Sequence, residues 1–418
     1  MKNPLPVVII PADRTATLGI ARSLGKRGIP VYGIDADPHE IGMVSRYLRP
    51  CPLPNGDDSE ENRLQYLVDL GKKLGDKAVL FPVRDDDVLL CSRAREELSK
   101  YYLYVMPDHT TVQDLLTKDG LDKVGRACQV LTPRTFQPRD EAGLEALADQ
   151  LPYPVILKPA FSTSWLREEI VSMLRDSPLS NPPKVALCRN REQLVQTYRR
   201  IAVYDPRMIV QEVIPGEDER LLYCCFYLNR HSQPLALFSG RKLRVLPVGF
   251  GSATYVRSIH DQGLEEVSLR LLSGAKYQGL GGVEFKQDSR DDQFKLIEFN
   301  ARFGMWDSLS IRCGIDIPYI AYCDAQGLPV PDQREYRDGV LWVDLQRDVR
   351  AFLIYRQRQH LGLGQWLRSL RGEKDWATYR RDDWKPAAIS TIQLFERPWS
   401  SIKRRVTGTR KASGVAPE

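Results

Sequence analysis

Glu284, Glu298 and Asn300 stand on two apolar segments whose spacing could bring three oxygen donors together. The first segment is Gly282-Val283-Glu284-Phe285-Lys286. The second is Phe294-Lys295-Leu296-Ile297-Glu298-Phe299-Asn300-Ala301-Arg302. The polar stretch Gln287-Asp288-Ser289-Arg290-Asp291-Asp292-Gln293 between them reads as a hairpin turn. With residues 289–293 as the loop, Asp288 pairs with Phe294, Lys286 with Leu296 and Glu284 with Glu298. Side chains alternate along a strand, so Glu298 and Asn300 share a face, and Glu284 joins them from across the ladder. Two carboxylates directly opposite each other destabilise a hairpin. A divalent cation removes that cost, and two carboxylates with an amide oxygen suit Mg2+ beside phosphate ligands. Phe285, Ile297 and Phe299 fall on the opposite face, which is expected to pack.

The elements around this hairpin alternate. A chain of 418 residues can build two or three domains with proper cores. Val7 to Ile10 is a short apolar run, followed by the loop Pro11 to Thr17, a helical stretch from Leu18 and a strand from Val31 to Asp35. A helix over Leu64 to Leu74, a strand over Ala78 to Val83 and a helix over Val88 to Leu98 continue the rhythm. This predicts a parallel sheet with helices on its faces. The first loop lacks the GxGxxG fingerprint, so a dinucleotide site is not expected there.

Thr110 to Gln113 resembles a capping box and opens a helix that runs to about Cys128 with Lys118 inside it. The run Pro152-Tyr153-Pro154-Val155-Ile156-Leu157-Lys158-Pro159 reads as a strand that ends in a lysine. Residues 161–183 form a polar loop. Strands are expected over Lys184 to Cys188, Met208 to Ile214, Leu221 to Leu228 and Leu235 to Ser239, with the basic run Arg241 to Arg244 after them. Gly249 to Thr254 reads as a flexible loop, and Gly263 to Tyr277 as a helix leading into the acidic hairpin.

The eight cysteines are scattered, with no CxxC pair, which argues against a zinc site or a disulfide framework. The first apolar run is too short for a signal-peptide core, and a cytoplasmic protein is expected. Charge is uneven: residues 347–418 hold 16 Lys and Arg against 7 Asp and Glu, within a chain of net charge +6. Trp366, Trp376, Trp384 and Trp399 lie in this basic region. Arg368, Arg371 and Lys374 follow helical offsets that would share one face. A helical cap with buried tryptophans is expected up to about residue 395, and the segment from Thr407 reads as a disordered tail.

Several short strings carry a family resemblance. They are Leu80-Phe81-Pro82-Val83-Arg84-Asp85-Asp86-Asp87, Thr117-Lys118-Asp119, Ile156-Leu157-Lys158-Pro159, Ile209 through Gly216, Gly240-Arg241-Lys242, and Glu298 through Gly304. In this order the chain resembles the ATP-grasp superfamily over residues 1 to about 330. Within it the chain is similar to carboxylate–amine ligases related to D-aspartate ligase. The resemblance implies an α/β and α+β ATP-grasp fold: a pre-grasp parallel α/β domain over 1–107, a small lid subdomain over 108–212, a large subdomain with the metal hairpin over 213–330, and a basic helical extension over 331–418.

The resemblance also implies roles. Lys118 and Lys158 match phosphate-binding lysines. Gln211, Glu212, Val213 and Ile214 match the hinge whose backbone meets adenine, and Asp218 matches the ribose-binding acid. Glu284, Glu298 and Asn300 match ligands of Mg2+, with Mn2+ as a substitute. Arg241 or Lys242 would support the phosphates or an acyl phosphate, and Arg302 would aim a guanidinium at the transferred phosphate or the substrate carboxylate. The implied reaction joins a small-molecule carboxylate to an amine, with an amino acid as the expected amine, at the expense of ATP. The alternatives are an ATP-grasp small-molecule kinase and a nucleotide-binding module that does not turn over. No nucleic-acid partner is expected. A homodimer and a peripheral contact between the basic C-terminus and an anionic surface are kept open. The loop after Lys158 departs from the family pattern, because residues 161–183 contain no glycine.

Overall fold

The computed structural model describes residues 4–159, 170, 185–358 and 360–393. Apart from Ile170, the lid loop expected over 161–183 lies outside these residues, as do Trp399 and the tail from Thr407. Three sheets organise the described residues.

The first sheet is parallel throughout, with strands β1 (Val7–Ile10), β2 (Val31–Asp35), β3 (Arg49–Pro52), β4 (Ala78–Pro82) and β5 (Tyr102–Leu103) in the order β3-β2-β1-β4-β5. Its inner strands read as continuous apolar runs because helices cover both faces. Strand order reverses at β1, so a crevice opens past the carboxyl ends of β1 and β4.

The second sheet holds β6 (Thr135–Phe136), β7 (Val155–Pro159), β8 (Ala186–Cys188) and β9 (Met208–Glu212) in the order β6-β9-β7-β8, with antiparallel pairings. One face packs Val155, Leu157, Met208 and Val210 against the helices Glu141–Ala148 and Arg191–Ala202. The other face carries Ile156, Lys158 and Gln211.

The third sheet has seven strands, β10 (Leu221–Leu228), β11 (Pro234–Leu246), β12 (Ser252–Ile259), β13 (Gly279–Gln287), β14 (Phe294–Asn300), β15 (Leu341–Val343) and β16 (Lys374–Trp376). Their order is β14-β13-β10-β11-β12-β15-β16. Alternation along β10 divides two cores. Leu222, Cys224 and Phe226 join Val283, Phe285 and Phe299 under the helix Gln262–Gly274. Tyr223, Cys225 and Tyr227 join Phe238, Trp306 and the residues of helix Thr15–Gly25 on the opposite side. The first sheet is thereby bonded to the third through apolar burial. Gly282 is required on β13, because a Cβ there would fall 1.8 Å from the Tyr223 hydroxyl.

Several expectations change. The helix expected from Thr110 to Cys128 is two helices, His109–Leu116 and Lys118–Ala127. Asp108, not Thr110, caps the first, and Thr117 takes extended backbone and caps the second through Gly120 N. The basic run Arg241 to Arg244 lies inside β11, and part of the expected loop 249–254 is β12. The C-terminal extension is not helical alone. It supplies β15 and β16, with Trp342 fully buried, and the helices Leu345–Gln357 and Leu363–Ser369, with residues 385–393 helical as well. The second of these ends at Ser369, so Arg368, Arg371 and Lys374 do not share a helix face. Trp366 and Trp376 are half-buried and Trp384 is exposed, so the tryptophans do not form one buried set. No described helix is long and apolar enough to cross a membrane.

Candidate functional site

The acidic hairpin forms as β13 and β14, and Glu284 stands opposite Glu298. The route to that pairing differs from the sequence reading. Phe294 pairs with Gln287 and Leu296 with Phe285, and a bulge between Glu284 and Phe285 restores the expected register. The extra residue is Ile297. Leu296 therefore packs with Phe285 and Phe299 in the core, whereas Ile297 is half-buried outside it. Gly282 pairs with Asn300, two residues along the same ladder.

Alternation assigns the basic residues to faces. Glu284 is opposite Tyr223 on β10, and Tyr223 is opposite Gly240 on β11. Lys242, two residues from Gly240, therefore shares the face of Glu284 and Glu298. Lys242 Nζ donates to Glu284 Oε2 at 2.5 Å, and both side chains are buried. The chain itself thus supplies part of the counter-charge that two opposed carboxylates require. Arg241 points to the other face. It donates to Glu219 O at 3.2 Å and lies 3.9 Å from Asp261. Of the pair Arg241 and Lys242, only Lys242 is brought to the acidic hairpin.

Arg302 continues past β14. Its Nε donates to Asp85 Oδ1 at 2.8 Å and its Nη2 to Asn300 Oδ1 at 2.9 Å. Burial alone would lower the guanidinium's pKa, but Asp85 outweighs it and holds the group above its ordinary value. Asp85 opens the helix that follows β4, at the crevice of the parallel sheet. Beneath Arg302 the Asp307 carboxyl is fully buried, which raises its pKa to about 7 against the opposing bond from Gly304 N.

Two lysines approach this hairpin, Lys158 from the second sheet and Lys118 from the helix Lys118–Ala127. Lys118, the first residue of its helix, donates to Ile297 O at 3.3 Å on β14. Lys158 is buried on β7, and its Nζ donates to Gln211 Oε1 at 2.7 Å. Burial lowers the Lys158 pKa well below 10.5, Lys118 lowers it further, and Glu298 opposes both. Among the described residues no carboxylate forms an ion pair with the Lys158 ammonium. Gln211 is fixed in turn, its Nε2 donating to Thr135 Oγ1 at 2.8 Å.

The residues expected at a hinge divide by face. Glu212 points away from Gln211, and its carboxylate accepts from Arg290 Nη2 at 2.7 Å. Its amide already donates to Arg134 O at 2.9 Å. Val213 lies in a small apolar cluster with Ile156, Val185, Leu187 and Phe250. Ile214 is buried next to it. Phe250 belongs to the loop before β12, so this cluster joins the second sheet to the third.

Asp218 is not a solvated member of its acidic cluster. It is buried, and its Oδ2 accepts from Tyr355 Oη at 2.5 Å and from Gly249 N at 3.2 Å. Lys286 Nζ donates to Gly216 O and Glu217 O, each at 2.7 Å, and so shapes the turn that presents Asp218. Burial lowers the Lys286 pKa, and Asp218 and Glu217 partly offset this. The sequence reading missed Lys286, Phe250, Asp85 and Tyr355. Lys286 was within reach of alternation, being two residues from Glu284. The others meet the site only through long-range folding.

Comparisons with known proteins agree on the architecture. No family model matches the chain. It is 26% identical over 235 residues to the D-aspartate ligase of Enterococcus faecium, covering 54% of either protein. The chain thus matches about half the length of that relative. Its fold resembles the biotin carboxylase of Campylobacter jejuni in complex with β,γ-ATP, with a TM-score of 0.60 and 16% identity over 78% of this chain and 72% of that one. It also resembles the L-amino acid ligase of Bacillus licheniformis, with a TM-score of 0.55 and 15% identity over 78% of this chain and 75% of that one. At those identities the likeness speaks for fold alone. The chain has the ATP-grasp fold and is a sequence relative of D-aspartate ligase.

Proposed function

We propose that the chain is an ATP-dependent carboxylate–amine ligase that forms an amide through an acyl phosphate and releases ADP and phosphate. The buried ammonium of Lys158 carries this reading. A lysine there is costly unless an anion is present, because burial disfavours its charge and its direct partner is a neutral amide oxygen. A second lysine, Lys118, adds to the cost in the free protein. Both costs become gains when a polyphosphate lies between the second and third sheets.

The remaining residues fit the same ligand. Ile156, Val213 and Phe250 line an adenine slot beside Gln211 to Ile214, and Asp218 meets the ribose. Glu284, Glu298 and Asn300 offer two carboxylates and an amide oxygen, a donor set suited to Mg2+, which would neutralise phosphate charge. Lys242 holds Glu284 in its orientation. Arg302, held between Asp85 and Asn300, presents its guanidinium where the reacting carboxylate meets the γ-phosphate. A carboxylate oxygen of the first substrate attacks the γ-phosphorus, and the bond to ADP breaks. The amine then attacks the acyl carbon, phosphate leaves, and the amine gives up a proton.

The test is ADP release from Mg2+ and ATP over a matrix of carboxylates and amino acids, with D-aspartate first because the sequence relative acts under that name. ADP release that requires both substrates, with one phosphate per ADP, is expected. A phosphorylated product formed without any amine would replace the ligase reading with a kinase. Absence of ATP binding in calorimetry would remove both.

A further inference from the structure

The C-terminal extension reaches the nucleotide site through one side chain. Helix Leu345–Gln357 packs on β11 and is anchored by Asp348, which is fully buried. Arg244 on β11 grips that carboxylate with two bonds of 2.7 and 2.8 Å, Thr254 Oγ1 adds one at 3.0 Å, and Trp366 Nε1 adds one at 2.9 Å. Seven residues on, two helical turns from the anchor, Tyr355 occupies the same face. Ala351 lies between them and packs with Tyr355 and Val248 in one small cluster.

Tyr355 is therefore held rigidly, and its hydroxyl is used twice. It donates to Asp218 Oδ2 at 2.5 Å and accepts from Val245 N at 3.2 Å. Gly249 N meets the same Oδ2. Both donors act on one oxygen, and no described residue donates to Asp218 Oδ1. One carboxylate oxygen is locked while the other stays open as an acceptor. A ribose diol requires such an acceptor, because its two hydroxyls donate to a carboxylate held in a fixed rotamer.

Resting on the ATP reading above, we infer that Tyr355 is a positioning residue: through Asp218 it sets the ribose contact, which makes the extension a working part of the nucleotide site. The extension is then more than a cap over a sheet edge. An undirected Asp218 would rotate towards solvent and share its acceptors with water, and the ribose would lose a preorganised partner.

The experiment titrates the full chain, with Mg2+, against ATP and against 2′,3′-dideoxy-ATP. Wild type should bind ATP more tightly than the dideoxy nucleotide. Tyr355→Phe should lose roughly tenfold in ATP affinity, the scale of one hydrogen bond to a charged group. Its affinity for the dideoxy nucleotide should be unchanged. Asp218→Asn should show the same ATP-specific loss, and the double variant should lose little more, since both substitutions break one chain of contacts. Thermal melts check that each variant is folded. Equal losses for both nucleotides, or additive losses in the double variant, would overturn the inference and leave Tyr355 a packing residue. If wild type binds neither nucleotide, the ATP reading itself fails. If wild type prefers ATP and Tyr355→Phe does so equally, only this inference fails.

Discussion

Lys242 Nζ lies 2.5 Å from Glu284 Oε2 on the face of the seven-stranded sheet that carries Glu298 and Asn300. Both partners are largely removed from water, so neither can lose the other cheaply. Lys242→Met should destabilise the protein by about 3–5 kcal/mol, the scale for stranding one charge of a buried pair. Adding Glu284→Gln to it should recover much of the loss. Denaturant unfolding of the two variants checks both statements, and an unaltered midpoint for Lys242→Met would show that Glu284 finds other compensation.

Glu298 is exposed, unlike Glu284, so its removal should leave the fold intact. Glu298→Gln should abolish ADP release while the melting temperature stays near that of wild type. Wild-type turnover in this variant would falsify the metal role given to the hairpin.

Lys158→Ala should weaken ATP binding by about 1.5–3 kcal/mol, the range for a lost charge-assisted contact. Lys123, exposed on the helix that begins at Lys118, is the control. Lys123→Ala should leave the affinity unchanged in isothermal titration. Equal effects at the two positions would point to general electrostatics.

The same lysine should make stability depend on pH. In the unfolded chain its amine titrates near 10.5, and in the folded chain burial lowers that value. Between the two values the unfolded state binds more protons, so stability rises with pH through this window and the penalty is complete below it. Lys158→Met should therefore stabilise the nucleotide-free protein at pH 7, and the advantage should shrink towards pH 10. Chemical unfolding of both proteins at a series of pH values reads the difference. A constant offset would mean that the methionine acts through packing.

Ending the chain after Asp344 would remove β16 and the helix Leu345–Gln357, and with them the carboxylate that meets the buried Arg244. Such a protein should aggregate on size-exclusion chromatography. Ending it after residue 399 should keep wild-type ADP release. A monodisperse shorter protein would show that the sheet tolerates its edge uncovered.

Periodicity reached much of this molecule. Strand β10 was delimited to the residue, and alternation placed Glu284, Glu298 and Asn300 on one face, because a period of two is a local property of the chain. The break between the helices at Thr117 was less legible. Both sides have helical periodicity, and only the extended backbone and cap of Thr117 separate them. β15 and β16 have three residues each, too few for a periodic signal, and they form because the β12 edge is there to pair with.

The sequence by itself determined which chemical groups are available and in what order: two lysines, the segment from Gln211 to Ile214, the Asp218 carboxyl and a hairpin of oxygen donors. Tertiary structure decided how those groups are held. The bulge at Ile297 kept Glu284 opposite Glu298, and sheet geometry chose Lys242 over Arg241. Asp85 reached Arg302 across 217 residues of chain, and Tyr355 reached Asp218 across 137. Such contacts leave no local pattern, because each depends on where a distant element packs and not on what its neighbours in sequence are.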